Sequence, residues 1–129
     1  MRADALTHAS LARMGAVLAA ALAAACGSGA PHTLVPGGDP ARGQTAIALY
    51  GCGSCHAIGG ITGARGRVGP PLTGIAERTM IAGEVPNTPE MIVRWIRNPQ
   101  AIEPGTAMPN LGVDERTARD IAAYLYTLR

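Results

Sequence analysis

Apolar residues near the carboxyl end of the chain recur with the period of an α-helix. Asp114 precedes them, and aspartate is one of the residues that favour the capping position at a helix start. The spacing i, i+3, i+4, i+7 places the apolar side chains on one face and predicts a helix over residues 114–128. The residues of this face are Ala118, Ile121, Ala122, Leu125 and Leu128.

Two further helices are predicted upstream by the same reasoning. The segment 88–98 opens on a threonine followed by a proline, and it ends before Pro99. The segment 39–50 opens with Asp39 as the capping residue and Pro40 in the first turn. Because no stretch alternates apolar and polar residues as a strand would, we expect an all-α domain with three main helices and long loops. The apolar stripe of the segment 88–98 consists of Met91, Ile92, Trp95 and Ile96.

The start of the chain reads as an export signal followed by a tether. Residues 14–25 form an apolar run that is too short to span a bilayer and that ends in small residues suited to cleavage. Residues 26–38 are rich in Gly and Pro without periodicity, which is typical of a flexible linker. The expected organisation is a signal peptide over residues 1–25, a tether over 26–38 and one folded domain over 39–129.

Cys26 is the third cysteine of a chain that we expect to be exported. The residues before it resemble a bacterial lipobox, in which the cysteine becomes the lipid-modified first residue of the mature protein, although Ala23 stands where the pattern usually has Leu. Ordinary cleavage nearby is the alternative. We expect the protein on the periplasmic side of the cell envelope, anchored to the membrane through Cys26.

The pentapeptide CGSCH carries the clearest chemistry of the chain. Two thiols three positions apart, with a histidine directly after the second, form the attachment signature of a c-type haem. Each cysteine adds across one vinyl group of the porphyrin, and an imidazole nitrogen of the histidine binds the iron. One covalent haem c, held by Cys52, Cys55 and His56, is therefore expected.

Three other interpretations of the cysteine pair are weaker. A structural zinc site needs four nitrogen or sulfur ligands, and the remaining candidates, Cys26, His8 and His32, lie in the leader or the tether. A thioredoxin-type pair would accompany a βαβ pattern, which this sequence does not show. A plain disulfide leaves the adjacent histidine unexplained.

Composition fits a domain that carries a bound prosthetic group and does not bind nucleic acid. The 129 residues include no Phe, one Trp and three Tyr, so the chain's own core is small and a haem would add apolar mass. All basic residues are arginines, and from Gly37 onward nine of them stand against eight acidic residues. This nearly neutral domain argues against nucleic-acid binding, which needs a clustered basic face.

The second axial ligand decides between electron transfer and chemistry on a small molecule. Thioether sulfur stabilises ferrous iron and raises the reduction potential. Met108 is favoured because it lies in an irregular segment stiffened by Pro104 and Pro109. Met80 and an open or water-bound site are the alternatives, whereas Met91 falls on a helical stripe and is expected in the core.

Residues 39–129 resemble a small class I cytochrome c of the kind found as bacterial electron carriers and as domains fused to terminal oxidases. The resemblance rests on CGSCH, on the segment IEPGTAM that ends at Met108, and on Gly43 and Tyr124, which match the crossing of the first and last helices. It implies that His56 and Met108 are the two iron ligands.

The resemblance also implies roles for four residues that spacing leaves unassigned. Pro70 would accept a hydrogen bond from the second ring nitrogen of the proximal histidine. Arg78 would approach a haem propionate, the alternative being a solvated surface charge. Asn87 would donate to a propionate, with helix capping as the alternative. Trp95 would pack near the axial sulfur, with ordinary core packing as the alternative.

The expected function is that of a one-electron carrier and not of an enzyme. Its redox partners would be a quinol-oxidising complex or a cytochrome as donor, and a terminal oxidase or reductase as acceptor. The alternatives are a haem enzyme or small-gas sensor with a labile sixth ligand, and a haem subunit of a larger oxidase complex. The absence of lysine argues against the docking mode of mitochondrial cytochromes.

Overall fold

The computed structural model describes residues 34–129 of the protein. The predicted signal peptide, most of the predicted tether and Cys26 lie outside the described residues, so those predictions stay untested. Within residues 34–129, no helix has both the length and the apolar character needed to cross a membrane.

The three predicted helices are confirmed, with shorter bounds. Helix α1 covers Pro40–Leu49, α2 covers Pro89–Arg97, a four-residue α3 covers Pro99–Ile102, and α4 covers Glu115–Leu125. The two predicted capping residues, Asp39 and Asp114, are confirmed, since each side chain accepts a backbone N–H of the first turn. Thr88, at which the second helix was predicted to open, caps α2 in the same way. The capping residues of α1, α2 and α4 are Asp39, Thr88 and Asp114.

Helix α4 ends three residues before the predicted boundary. Tyr126 N still donates to Ala122 O, but Thr127 N and Leu128 N donate to carbonyl oxygens only three residues back. The last turn is therefore tightened beyond α-helical geometry, and Leu128 is half-buried beside the core without being part of the helix.

A short antiparallel hairpin was not predicted. Strands β1, Met80–Ile81, and β2, Val85–Pro86, pair Met80 with Pro86 and Ile81 with Val85. Ala82, with φ 54°, adopts the left-handed conformation in the turn between them. Strands of two residues are too short for an alternating pattern to be visible, and the described domain remains mostly helical.

The core of the described domain lies where α4 packs on α1 and α2. Along α2 the side chains of Ile92, Val93, Trp95 and Ile96 are buried, which confirms the predicted stripe except for the half-buried Met91. The buried residues of α4 are Ala118, Asp120, Ile121, Ala122, Ala123, Tyr124 and Leu125.

Helices α1 and α4 cross in direct backbone contact at Gly43. A Cβ atom placed on Gly43 would lie 1.9 Å from Asp120 O and 3.0 Å from Ile121 N. This confirms that α1 and α4 cross at Gly43, and the partner there is the backbone of α4. Tyr124 lies on the same helix, and its hydroxyl donates to Gly59 O at 2.7 Å.

A buried carboxylate fastens the same crossing. Asp120 is 4% exposed. Its Oδ2 accepts from Arg42 Nε at 2.7 Å, and its Oδ1 accepts from Arg42 Nη2 at 2.9 Å and from Asp39 N at 2.8 Å. The Arg42 hydrogen bond lowers the pKa of Asp120 despite the opposing effect of burial. The start of α1 and the middle of α4 are thus joined by one bidentate ion pair.

We expect Asp120→Asn to destabilise the domain by about 2 kcal/mol at neutral pH, because the substituted amide cannot satisfy both Arg42 and the Asp39 N–H. A depressed carboxyl pKa contributes stability that is present above the unfolded value of about 3.9 and is lost as pH falls through the lower folded value. Denaturant unfolding at neutral pH and below pH ~4 checks both statements. A difference in unfolding free energy between wild type and variant that is the same at neutral pH and below pH ~4 would contradict the assignment.

Candidate haem site

The CGSCH motif follows α1 through a glycine turn. Gly51 has φ 67°, a left-handed conformation that redirects the chain at the end of the helix. A 3-10 helix then covers Cys52–Ser54, and His56 N donates to Cys52 O at 3.0 Å. Both thiols and the imidazole of this compact turn line one cavity.

That cavity, called the central cavity below, has a volume of about 330 Å³ and is lined mainly by apolar side chains. Its lining includes side chains of α1, α2 and α4 together with the loops between them. The predicted site residues among its lining are Cys52, Cys55, His56, Pro70, Arg78, Trp95 and Met108.

The imidazole of His56 is oriented by a backbone carbonyl. Its Nδ1 lies 2.7 Å from Pro70 O, as the resemblance implied. Since a carbonyl can only accept, Nδ1 is the donor in this bond, and Nε2 is the ring nitrogen left for a metal. A Cβ atom on Gly69 would lie 2.2 Å from His56 Cε1, so only glycine lets the backbone pass this close to the ring. Sequence reasoning missed Gly69, because its requirement depends on a contact thirteen residues away.

Met108 lies in a loop held by a side chain that sequence reasoning missed. Gln100 Nε2 donates to Thr106 O at 2.6 Å and to Met108 O at 2.9 Å. Its Oε1 accepts from Gly105 N at 3.2 Å. Both polar groups of this amide, through three hydrogen bonds, therefore fix the segment that carries Met108. A polar residue inside the short α3, just before a Gly- and Pro-containing loop, was the available signal.

The thioether of Met108 has a donor beside it. Trp95 Nε1 lies 3.2 Å from Met108 Sδ. Trp95 is 7% exposed, so the indole N–H finds this sulfur in an otherwise apolar setting. Met80 also lines the central cavity but is 40% exposed, whereas Met91 does not line it. Two methionines thus reach the central cavity, and only Met108 has its sulfur hydrogen-bonded in the described structure.

Arg78 and Asn87 are both engaged with backbone carbonyls. Arg78 Nη2 donates to Pro71 O and, at 3.3 Å, to Thr73 O. Asn87 Nδ2 donates to Ile75 O at 2.7 Å and to Arg78 O at 2.9 Å. Arg78 lines the central cavity and Asn87 does not, so propionate contacts by either residue stay predictions. Helix capping by Asn87 is not what the structure has, since Thr88 caps α2.

The two thiols of the motif form no disulfide with each other in the described structure. Burial raises the pKa of Cys52, and Cys55 adds to the effect as a neighbouring potential charge. Within residues 34–129, no group of three or more His, Cys, Asp or Glu side chains could hold a metal ion. Two thiols that can attach a porphyrin, one imidazole nitrogen and one thioether sulfur surround the apolar cavity. This set of groups fits a covalently attached haem.

Comparison with known proteins finds relatives that are named cytochromes. The family model described as Cytochrome c matches residues 40–129. Cytochrome c-550 of Ancylobacter novellus is 35% identical over 68% of this chain and 94% of its own length. Cytochrome c2 of Rhodopila globiformis is 35% identical over 73% of this chain and 97% of its own length.

A third relative is a much longer protein. Cytochrome c oxidase subunit 2 of Alkalihalophilus pseudofirmus is 36% identical over 68% of this chain, which spans only 25% of that relative. The family match covers more than half of the chain and includes both the CGSCH motif and Met108. The all-α fold and the covalent haem c expected from the sequence are thereby confirmed, and the chain belongs to the cytochrome c family.

Proposed function

We propose that the protein is a one-electron carrier whose haem iron is bound by His56 on one side and Met108 on the other. The observation that carries this proposal is the pair of oriented donors on the central cavity. His56 has Nδ1 bonded to Pro70 O, which leaves Nε2 for the metal, and Met108 Sδ is held beside Trp95 Nε1. The haem supplies a reversible ferrous–ferric couple when bound.

The chain's own residues suit a carrier because they keep water and substrates away from the reacting centre. Ile47, Ile92 and Ile121 present apolar side chains to the central cavity from three different helices. The Gln100 contacts hold the Met108 segment in place, so the sixth position is closed by a fixed ligand. A closed and largely dry site changes little between the two oxidation states, which favours rapid electron transfer.

The proposed acceptor is a terminal oxidase or reductase, and the proposed donor is a quinol-oxidising complex or another cytochrome. The two relatives covered over almost their whole length are named cytochrome c-550 and cytochrome c2, which supports a carrier of independent type. The relative named cytochrome c oxidase subunit 2 supports an oxidase as the acceptor. The same relative makes a haem subunit of an oxidase complex the second candidate.

The carrier proposal is tested with membranes that contain a terminal oxidase. We expect the ferrous protein to be reoxidised by these membranes in a cyanide-sensitive reaction and to stay reduced for much longer without them. Because the domain from Gly37 onward is nearly neutral, the rate should change less than about threefold over moderate salt concentrations. Fast reoxidation by oxygen or peroxide without membranes would contradict a carrier and favour an enzyme.

A haem enzyme or gas sensor finds little support in the residues around the cavity. Among the described residues that line the central cavity there is no Asp, no Glu and no histidine besides His56. Proton transfer to a bound substrate needs such a group within hydrogen-bond reach. Arg78 is the one charged side chain of that lining, and its guanidinium is bonded to Pro71 O and Thr73 O.

We expect Trp95→Phe to lower the reduction potential by tens of millivolts, on the order of 30 mV, because the N–H bond withdraws electron density from the ligand sulfur. Phenylalanine keeps an aromatic ring in the core, so the change isolates the donor. Ile96→Val trims the neighbouring buried side chain and serves as control. Potentiometric titration gives the answer, and a potential that is unchanged or raised in Trp95→Phe would contradict the role of the indole.

We propose further that Cys26 is lipidated and that the protein is exported and anchored on the periplasmic side. A tether of about a dozen residues would raise the effective concentration of a membrane partner to roughly millimolar. In cell fractionation, Cys26→Ser should move from the membrane to the soluble periplasmic fraction, while Ser28→Ala should stay with the membrane. A Cys26→Ser protein that remains in the membrane fraction would overturn the lipid anchor and leave the carrier proposal intact.

A further inference from the structure

We propose that Tyr126 is a positioning residue for the His56 ligand, acting through Asn87 and the loop of residues 70–79. The inference rests on the proposed function, because it concerns the iron potential that His56 and Met108 would set. Sequence reasoning gave Tyr126 no role. Its hydroxyl lies far along the chain from His56, yet hydrogen bonds and two short covalent stretches, through Arg78 and through the Pro70–Pro71 peptide, connect the two.

The first step is the bond between Tyr126 and Asn87. Tyr126 follows α4 directly and is 7% exposed, and its hydroxyl donates to Asn87 Oδ1 at 2.7 Å. Burial, with a smaller contribution from Glu90, raises the pKa of Tyr126 to about 12. The phenol therefore stays protonated and remains a donor throughout the neutral range.

The second step is the orientation of the Asn87 amide. Because its Oδ1 accepts from Tyr126, its Nδ2 faces the loop and donates to Ile75 O at 2.7 Å and to Arg78 O at 2.9 Å. The backbone of Asn87 adds a bond from its N to Thr79 O at 3.0 Å. Rotation of the amide by half a turn would place its single oxygen against the two carbonyl oxygens, with loss of both hydrogen bonds to the loop. Since a carbonyl can only accept, the two carbonyls fix this orientation, and the Tyr126 hydroxyl adds a third bond that holds the amide against the loop. These three bonds are called the Asn87 clamp below.

The third step runs within the loop itself. Arg78, whose carbonyl Asn87 holds, returns its guanidinium to Pro71 O and Thr73 O. The residue before Pro71 is Pro70, whose carbonyl accepts from His56 Nδ1 at 2.7 Å. The Asn87 clamp and the Arg78 contacts therefore set the length of the hydrogen bond between Pro70 O and His56 Nδ1. That bond makes the ring a stronger ligand, and a stronger ligand favours ferric iron and a lower potential.

Tyr124, two residues before Tyr126, offers a matched control. Tyr124 is 8% exposed, and its hydroxyl donates to a backbone carbonyl, Gly59 O, at 2.7 Å. Gly59 lies outside the loop of residues 70–79. Loss of either hydroxyl removes one buried hydrogen bond of similar length, so both Tyr→Phe variants should raise the unfolding equilibrium constant about tenfold. A purely structural role predicts the same result for both tyrosines in every measurement.

The experiment compares Tyr126→Phe and Tyr124→Phe in the full holoprotein. We expect the potential to rise only in Tyr126→Phe, by an amount equal to about a threefold change in the ratio of reduced to oxidised protein at fixed solution potential. Amide exchange at Ile75 and Arg78 should accelerate in the same variant and not in Tyr124→Phe. Equal potentials in the two variants, or a rise in both, would overturn the inference.

Asn87→Ala provides a second route if Tyr126→Phe yields too little folded protein. It should reproduce the rise in potential, and adding Tyr126→Phe to it should produce no further rise, since both act through one clamp. Additive rises would overturn the series of contacts. Failure of the proposed function is recognised separately, because the wild-type protein would then lack the spectrum of a histidine–methionine haem before any variant is made.

Discussion

Replacing Met108 by alanine is expected to abolish the weak long-wavelength absorption band of sulfur-ligated ferric haem and to lower the potential by the order of 0.1–0.2 V. Of the two methionine sulfurs that line the central cavity among the described residues, Met108 Sδ is the one that accepts a hydrogen bond, from Trp95 Nε1. Removing it leaves no side chain in its place, so water or an added ligand would occupy the sixth position. Loss of the soft thioether removes its preference for ferrous iron, which accounts for the direction of the potential change.

Two other methionines provide controls for this experiment. Met80 lines the central cavity and was the alternative ligand, whereas Met91 lies on α2 and does not reach the cavity. Met80→Ala and Met91→Ala should both keep the band, and Met91→Ala should cost stability alone. If Met80→Ala loses the band and Met108→Ala keeps it, the ligand assignment is wrong and the hairpin strand β1 carries the sixth ligand.

Gly43→Ala is expected to destabilise the domain by about 3 kcal/mol or more, which is large for the addition of one methyl group. The new Cβ would have to occupy a position 1.9 Å from Asp120 O, where a backbone atom and not a flexible side chain is the obstacle. Helices α1 and α4 must move apart to admit it, and this movement strains the Arg42–Asp120 ion pair beside the contact. Chemical denaturation of the holoprotein measures the loss.

Ala48→Ser on the exposed face of α1 is the matched control for Gly43→Ala. A helical surface change of this size should stay within about 0.5 kcal/mol of wild type. Since alanine favours a helix more than glycine does, Gly43→Ala would be stabilising if α1 and α4 did not touch. A stable Gly43→Ala protein would therefore contradict the close crossing.

The sequence predicted those features whose causes are local. The capping side chains of Asp39, Thr88 and Asp114 and the apolar stripes of α2 and α4 lie within single segments, so spacing alone located these helices. Features that depend on contacts between segments were not predicted. The hairpin of β1 and β2 is too short to show a period, and the tightened end of α4 depends on turn hydrogen bonds.

The same division applies to the candidate site. CGSCH and Met108 were recognised from short motifs, and the resemblance placed Pro70 beside the histidine, where the structure has its carbonyl. Gln100 and Tyr126 were missed, because each acts through a hydrogen bond whose partner is defined only by the folded loops. No spacing rule marks such residues, although an amide inside a four-residue helix and a buried tyrosine at a helix end are places to look.

In the proposed carrier, His56 and Met108 close both axial positions of the haem iron. Carbon monoxide binding to the ferrous wild-type protein tests this claim most directly, because the gas binds only where a coordination position is open or easily vacated. We expect the spectrum of the wild-type protein to stay unchanged under carbon monoxide and that of Met108→Ala to shift at once. Rapid carbon monoxide binding by the wild-type protein at neutral pH would contradict it.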